Sequence, residues 1–253
     1  MYGNLHRSCK NSDAPFAVKK KTWLTTSLRA FEKPYLTPLK SLLGVRPLTP
    51  NNLTIIESGV LGPIEYVLKR QRQFFEKVFS AADPETNCLS TAMQIASEAG
   101  APGAHYIRST MAAQPQQSRE REAVKQAHES SRATTYKMFN SPLEPSPLCR
   151  CPANASPKEA HRIAYTRMRL SSHRLRVETG RWARIPREER ICPCGQGVQD
   201  EHHVLLECSQ TAAARRRLYP EDDCPRTLIE LFGRDDQEKV AKLCRDVLIL
   251  CEQ

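Results

Sequence analysis

Three cysteines and two adjacent histidines lie close together in the last third of the chain. Cys192 and Cys194 are separated by one proline, and Cys208 follows fourteen residues later, with His202 and His203 between them. Zinc at a closed structural site takes four tetrahedral nitrogen and sulfur ligands, which cysteine and histidine supply. The segment therefore predicts one structural zinc ion bound by three cysteines and one histidine.

The residues around the first two cysteines favour a tight turn. Pro193 fixes its own φ and biases Cys192 toward an extended conformation, and Gly195 permits the positive φ that such a turn often needs. His203 and Cys208 are five residues apart, which does not place them on one face of a continuous α-helix. We therefore expect His203 in the first turn of a short helix and Cys208 just beyond its end.

Two alternatives remain open from the spacing. His202 is an alternative ligand to His203, and two buried thiols beside two surface histidines would produce the same pattern without a metal. A second Cys-x-Cys pair, Cys149 and Cys151, has no fourth ligand at close spacing. We interpret that pair as free thiols in a linker.

Arginines are concentrated before this segment. Residues 162–190 carry nine Arg against three Glu, a net charge of +6. A guanidinium group forms a planar fork that suits phosphate, and a tryptophan can stack on an unpaired base. Nucleic-acid contacts are thus expected from Arg174, Arg176, Arg181, Trp182, Arg184, Arg187 and Arg190. For Trp182 the alternative is packing in the core, while Glu178 is interpreted as a salt-bridge partner and His173 as a capping or packing residue.

The composition points to a polyanion partner contacted by part of the surface. The 253-residue chain has a net charge of +10; residues 1–50 carry nine Lys/Arg against two acids, and residues 191–253 carry eight against twelve. A mean hydropathy of −0.55, without an eighteen-residue apolar run, argues against an integral membrane protein or a membrane partner. No signal-peptide pattern opens the sequence, so an intracellular location (nucleus and cytoplasm) and metal-ligating rather than disulfide-bonded cysteines are expected.

Hydrophobic periodicity predicts a mainly α-helical fold: a helical scaffold with a small zinc-knuckle module. The clearest pattern is at 237–251, and further helices are expected at 64–79 and at 212–219. A second helical region is expected at about 158–178. Prolines break the basic N-terminal segment, and five prolines between 142 and 157 mark a linker. Four regions result: a basic loop-rich segment (1–60), a helical region (61–140), a proline-rich linker (141–157), and an arginine-rich helical and zinc-knuckle module with a C-terminal helix (158–253).

Residues 164–208 contain two motifs of fixed spacing. The first, R-x-x-S-H-x-L-x-x-E-x-G-R-x-x-x-x-x-R-x-x-R-x-C, is carried by Arg169, Ser172, His173, Leu175, Glu178, Gly180, Arg181, Arg187, Arg190 and Cys192. The second, E-x-H-x-L-x-x-C, is carried by Glu201, His203, Leu205 and Cys208. Together they resemble the C-terminal end of reverse transcriptases from non-LTR, jockey-like retrotransposons, where a Cys-Cys-His-Cys zinc knuckle occurs. More weakly, residues 60–79 look like the helix that often follows the polymerase domain in that family.

The resemblance implies a tail module that binds template RNA or target DNA, next to an upstream polymerase domain of the same element if that element is intact. It also implies that His203, rather than His202, is the ligand. The family's polymerase needs carboxylates for two metal ions, partly in an aromatic-x-Asp-Asp motif. Here Asp222-Asp223 have the wrong spacing and follow the knuckle, so they are read as an exposed turn. The chain is therefore expected to be inactive as a polymerase on its own.

Two other interpretations remain. The chain is an enzyme fragment whose activity belongs to the parent reverse transcriptase, or it is a protein-interaction adaptor in which zinc only stabilises a helical scaffold. In the adaptor interpretation the basic face is incidental, so RNA and DNA binding at several salt concentrations separates it from the nucleic-acid-binding module.

Overall fold

A computed structural model of the chain describes residues 30–80, 88–101, 134–140, 143–149 and 157–252, together with Lys125 and Glu129. Within these residues the fold is helical, and the one extended pairing is an isolated antiparallel bridge between Ile191 and Val198. The predicted mainly α fold is confirmed. Of the basic segment predicted at 1–60, residues 1–29 lie outside the described residues. Within the described part of the chain, no helix has the length and apolar character that a membrane span requires.

Helices account for most of the described chain. The α-helices are α1 (Glu32–Leu43), α2 (Asn51–Ser58), α3 (Pro63–Ser80), α4 (Cys88–Glu98), α5 (Thr134–Phe139), α6 (Glu159–Arg169), α7 (Arg176–Trp182), α8 (Ala212–Leu218), α9 (Leu228–Phe232) and α10 (Gln237–Cys251). Single helical turns lie at Pro147–Cys149, Arg187–Glu189, His203–Glu207, Ser209–Thr211 and Glu221–Asp223. Helices α3, α8 and α10 follow the bounds that the periodicity predicts closely.

The chain divides into two compact units. The first contains Met1–Tyr35 and Gly62–Pro115, and in it α3 and α4 contact each other. The second contains Leu36–Leu61 and Gln116–Gln253, and therefore holds all of the predicted site residues. Residues 36–60, which were predicted to belong to the basic N-terminal segment, lie in the same unit as the arginine-rich module.

The core of the second unit forms mainly between α6 and α10. Tyr165 and Met168 of α6 are fully buried, as are Val240, Leu243 and Val247 of α10. These α10 residues belong to the i, i+3, i+4, i+7 pattern that predicts the helix. The same core contains Val204 and Leu205, which lie between the two C-terminal members of the metal-ligand motif, so the motif is attached directly to the α6–α10 core.

The helical region predicted at about 158–178 consists of two helices. Helix α6 ends at Arg169 and α7 begins at Arg176. Between them Ser171 has a φ of 49°, and its Oγ donates to Glu201 Oε1 at 2.6 Å. Ser172 Oγ accepts from the backbone N of Arg46 at 2.8 Å. Serine side chains that bond elsewhere compete with helix formation, which explains the break.

The described part of the predicted linker packs against the core. Leu148 is 4% exposed and belongs to the main hydrophobic cluster, and the backbone N of Ser146 donates to the carbonyl of Glu57 at 3.0 Å. Cys149 is exposed and its Sγ lies 3.3 Å from the same carbonyl. Cys151 lies outside the described residues, so the expected free-thiol pair stays a prediction.

A buried ion pair ties α2 to α6. Arg169 Nε and Nη2 donate to the two carboxylate oxygens of Glu57 at 2.6 and 3.1 Å, and the two side chains are 4% and 0% exposed. The guanidinium carbon also lies 4.8–5.8 Å from four aromatic ring centroids, those of Tyr136, Phe139, Tyr165 and Phe232. A desolvated charge of this kind is strongly destabilising without its partner, so α2 supplies the carboxylate that the burial of Arg169 in α6 depends on.

Candidate metal centre and adjoining basic face

The four predicted metal ligands come together in the structure. One donor atom from each of Cys192, Cys194, His203 and Cys208 lies within 4.8 Å of the other three. The sulfur atoms of Cys192 and Cys208 are 3.7 Å apart, and Cys194 Sγ lies 3.1 Å from His203 Nε2. A tetrahedral ion with metal–sulfur bonds of about 2.3 Å sets two sulfur atoms about 3.8 Å apart. The group could therefore hold one metal ion.

A tight turn positions the first two cysteines. The backbone N of Cys192 donates to the carbonyl of Gly197 at 2.7 Å, and that of Gly195 donates to the carbonyl of Cys192 at 2.8 Å. Gly195 has a φ of 76°, a left-handed conformation that favours glycine. The turn thus forms as the Cys-Pro-Cys-Gly sequence predicts, and it directs Cys194 back toward Cys192.

A π-helical turn positions the second pair. It spans His203–Glu207, and the backbone N of Cys208 donates to the carbonyl of His203, five residues earlier, at 2.7 Å. The wider turn brings residues five apart onto the same side, which an α-helix does not do. Asp200 Oδ1 accepts from the backbone N of His203 at 2.9 Å and caps the start of the turn. His203 therefore begins the turn and Cys208 follows its end, as expected.

The two histidines differ in their surroundings. His203 is 5% exposed and its Nε2 faces the cysteines, while its Nδ1 lies 3.5 Å from Glu207. The side chain of His202 is 44% exposed and lies beside Glu207, outside the group of donor atoms. The geometry thus favours His203 as the histidine ligand.

The two cysteines of the turn differ in their acid–base properties. Burial raises the pKa of the Cys192 thiol to about 12. Desolvation also opposes ionisation of Cys194, but hydrogen bonds from the Gln196 N–H and from His203 lower the pKa of Cys194 to about 7. A metal ion binds thiolates, so its binding displaces the proton of Cys192.

A buried hydrogen-bonded cluster attaches the second pair of ligands to the α6–α7 connection. Glu201, two residues before His203, accepts from Ser171 Oγ at 2.6 Å, and its Oε1 lies 2.9 Å from His173 Nε2. Burial acts to raise the pKa of Glu201, but the charge and hydrogen bond of His173 and the bond from Ser171 lower it to about 2. His173 is thus a packing residue that orients Glu201, as the sequence analysis expects, and not a metal ligand.

Arg215 supports the last ligand. Its guanidinium group donates to the carbonyl of Cys208 at 2.8 Å and to Thr211 Oγ1 at 2.6 Å, and the residue is 8% exposed. This role could not be predicted from the sequence, because nothing in the local pattern separates Arg215 from its exposed neighbours Arg216 and Arg217. Asp200 was also missed, although an Asp three residues before a helical turn is a common capping pattern.

Four of the arginines predicted to contact phosphate have partners inside the chain. Arg176 donates to the Ile191 carbonyl at 2.7 Å, Arg181 to Glu178 Oε2 at 2.5 Å and Arg187 to Asp200 Oδ2 at 2.6 Å. Arg190 donates to the carbonyls of Val177 and Ile185 at 2.7 and 2.6 Å. These contacts stabilise the fold around residues 190–208, the metal turn. Two of the four arginines form ion pairs, in which the side chain of Arg181 is 21% exposed and that of Arg187 is 56% exposed.

The side chains of Arg174 and Arg184 are different. Both residues are exposed, and neither side chain makes a hydrogen bond or ion pair within the part of the chain that the structure describes. Arg184 has a φ of 59°, which is uncommon for a residue with a side chain. These two guanidinium groups are therefore available to an external anion.

The structure places Trp182 at the surface. Its side chain is 47% exposed, so the alternative of a core residue was wrong. The guanidinium carbon of Arg46 lies 4.2 Å from the indole centroid. Glu178, as predicted, is a salt-bridge partner: its Oε2 lies 3.2 Å from Arg46 Nη2 and 2.5 Å from Arg181 Nη2.

The tandem aspartates lie in an exposed turn, as the sequence analysis expects. Asp222 and Asp223 are in the Glu221–Asp223 turn, and Asp223 pairs with Arg234 at 2.9 Å.

Comparison of the chain with protein-family models, with curated proteins and with solved structures gave no match.

Proposed function

We propose that the chain is a nucleic-acid-binding module built around one structural zinc ion, with no catalytic activity of its own. The observation that carries the proposal is the meeting of four donor atoms within 4.8 Å, three of them cysteine sulfurs and one a histidine nitrogen. Thiolate and imidazole ligands in a closed tetrahedral group favour zinc over magnesium, calcium or manganese, which prefer oxygen.

The contacts of the motif residues support the resemblance to the tail of a non-LTR retrotransposon reverse transcriptase. Arg169 forms the buried ion pair, His173 orients Glu201, and Glu178 binds two arginines. A Cβ on Gly180 would lie 2.7 Å from Cγ of Arg190, so only glycine admits the arginine that bonds the Val177 carbonyl. A motif whose members depend on one another physically is a coherent structural unit. On this basis we propose that the module follows a polymerase domain and holds RNA or DNA for it.

The nucleic-acid face of this proposal is smaller than the sequence predicts. It consists of Trp182, Arg174 and Arg184, with Arg187 as an exposed contributor. Arginine is well suited to phosphate and indole to unpaired bases. The location in nucleus and cytoplasm and the absence of polymerase activity remain predictions, and the latter is checked by assaying template-dependent nucleotide incorporation with the pure chain.

The metal is tested by elemental analysis of the full chain purified under reducing, metal-replete conditions. One zinc per chain is expected. His203→Ala should lower zinc affinity far more than His202→Ala, its matched neighbour, because only His203 joins the donor group. A chain without zinc, or equal effects of the two substitutions, would contradict the proposed site.

The nucleic-acid face is tested by the salt dependence of oligonucleotide binding. Each phosphate contact on a single strand contributes about −0.7 to the log–log slope. Arg174→Ala and Arg184→Ala together should therefore reduce the slope by about 1.4. The control is Arg217→Ala, which removes an exposed arginine that pairs with Asp246 at 3.1 Å. Equal slopes for the double variant and the control would contradict the assignment of Arg174 and Arg184 as phosphate contacts.

A protein-interaction adaptor is the second candidate function. One observation favours it: four of the predicted phosphate-binding arginines are bonded inside the chain. In this case zinc stabilises the helical scaffold alone. Failure to bind RNA or DNA at low salt, with zinc content intact, would select it.

A further inference from the structure

An open pocket of about 390 Å³ lies beside Trp182. Its walls come from three stretches of the chain, residues 46–50, 170–171 and 181–182. Leu48 is 73% exposed and Trp182 47% exposed, so two large apolar side chains face solvent at the same site. Small-molecule pockets have volumes of roughly 300–1,000 Å³. This pocket therefore has the size of a site for one small, largely apolar group.

The wall formed by residues 46–50 is held firmly in place. Lys40 is 8% exposed, and its Nζ donates to the carbonyls of Pro47 and Thr49 and to Asn51 Oδ1, at 2.6–2.7 Å. These three bonds use all three donors of the ammonium group. Thr49 Oγ1 also donates to Ser172 Oγ at 3.1 Å. Because the wall is fixed by buried hydrogen bonds, a ligand does not have to order it on binding.

Two arginines line the pocket, and the segment of chain that carries Trp182 is rich in arginine. From Arg174 to Arg190 the chain carries six arginines against three glutamates, a net charge of +3. Arg46 and Arg181 line the pocket and share the buried carboxylate of Glu178. The guanidinium carbon of Arg46 lies 4.2 Å from the indole centroid of Trp182, so a base reaches that face of the ring only by displacing Arg46. Arg184, two residues beyond Trp182, is exposed in a left-handed conformation, and its side chain has no hydrogen-bond or ion-pair partner within the described residues. An apolar, aromatic-walled pocket beside such arginines complements a group that is flat and apolar but attached to a phosphate.

We propose that this pocket receives one unpaired nucleobase of a single-stranded nucleic acid, stacked on Trp182, with the adjoining phosphate bound by Arg184. The proposal rests on the nucleic-acid-binding function proposed above and specifies its ligand. A base–aromatic stack is tolerant of sequence, because every base has a π-face. Single strands are thus preferred over duplexes, in which the bases are already paired and stacked.

The proposal predicts a difference between an oligonucleotide with bases and one without them. The probes are an oligothymidylate and an abasic strand with the same number of phosphates. Trp23→Phe leaves Trp182 as the sole tryptophan, since the chain has two. The oligothymidylate should quench Trp182 fluorescence and bind about 5- to 150-fold more tightly than the abasic strand, the range given by one stacked base.

A matched pair of substitutions tests the pocket without removing the tryptophan. Leu48→Glu places a carboxylate at the pocket, while Leu42→Glu makes the same change on α1 outside it, at a side chain that is 67% exposed. Leu48→Glu should abolish the preference for bases, and Leu42→Glu should preserve it. Circular dichroism and zinc content of both variants should match the parent chain.

The outcomes separate the two proposals. One outcome is that both strands bind equally, that Trp182 emission is unchanged and that the two glutamate variants behave alike. In that case the pocket does not hold a base, although the nucleic-acid-binding function stands. That result would also be expected if the pocket bound a protein segment. If neither strand binds the chain in low salt, the proposed function fails and the base pocket fails with it.

Discussion

The interior around Arg169 and the metal turn at 190–208 are held together by different means. Around Arg169, large side chains such as Tyr165, Met168 and Leu243 are fully buried and enclose one ion pair. In the metal turn, Pro193, Gly195 and Gln196 are exposed, and the buried side chains of the first half include Cys192 itself. The packing of large buried side chains determines the structure of the first region, whereas the four metal-binding side chains determine that of the second.

The two regions nevertheless share a boundary built from polar contacts. Glu201 is bonded to Ser171 and His173 of the α6–α7 connection, and Arg190 bonds the Val177 carbonyl of α7. Buried polar networks fix one arrangement when every member has a partner. These polar contacts therefore fix where the ligand-bearing segments lie. They do not offset the free-energy cost of removing the cysteine sulfur atoms from water when these atoms come together. Under the proposed function, the zinc ion compensates this desolvation.

Removal of the metal should give the largest effect and should act on one region. Structural zinc in small modules contributes roughly 10–16 kcal/mol of apparent binding energy coupled to folding. Chelation is therefore expected to expose amides at 191–208 to hydrogen exchange, while those of α10 keep most of their protection. Exchange measured by mass spectrometry, with and without chelator, checks this. Equal loss of protection in both stretches would show that the two regions form one cooperative unit.

The sequence predicts the two regions to different extents. The hydrophobic periodicity of α10 and the spacing of the four predicted ligands are properties of short segments, so both can be predicted from the local sequence. The break after Arg169 could not, because it depends on Ser171 and Ser172 bonding Glu201 and Arg46, which are far away in sequence.

The basic face shows the same limit. Counting arginines cannot separate Arg190, whose side chain bonds backbone carbonyls, from Arg184, whose side chain has no partner within the described residues. Exposure of Trp182 likewise depends on residues 46–50, more than 130 positions earlier. Identifying the role of each arginine requires knowing which carbonyls and carboxylates the fold brings near it.

Breaking the buried ion pair should give the next largest effect. Arg169→Met leaves the Glu57 carboxylate buried without a partner, which costs about 3–5 kcal/mol of unfolding free energy. Urea unfolding measures this loss. Arg162→Met, which changes a less buried arginine of the same helix, should cost far less. The double variant Glu57→Leu/Arg169→Met should recover much of the loss, because no unpaired charge remains. A double variant no more stable than Arg169→Met would show that the aromatic surroundings of Arg169, not the pairing, matter.

The smallest effect is expected at Asp200, which belongs to the metal turn but not to the donor group. Its two carboxylate oxygens have separate tasks, since Oδ1 caps the His203 N–H at 2.9 Å and Oδ2 pairs with Arg187 at 2.6 Å. Asparagine keeps the capping oxygen and loses the charge, whereas alanine loses both. The cap contributes about 0.5–2 kcal/mol, and an exposed ion pair about 0–1 kcal/mol.

Asp200→Ala should therefore weaken zinc binding by about five- to tenfold, the equivalent of about 1 kcal/mol. Asp200→Asn should change it by less than about threefold, since only the exposed ion pair is lost. Competition with a chromophoric chelator at fixed pH measures both affinities. Equal losses for the two variants would assign the effect to the Arg187 ion pair. Unchanged affinities would mean that the cation alone shapes the π-helical turn, so that polar contacts around the donor group contribute nothing to its geometry.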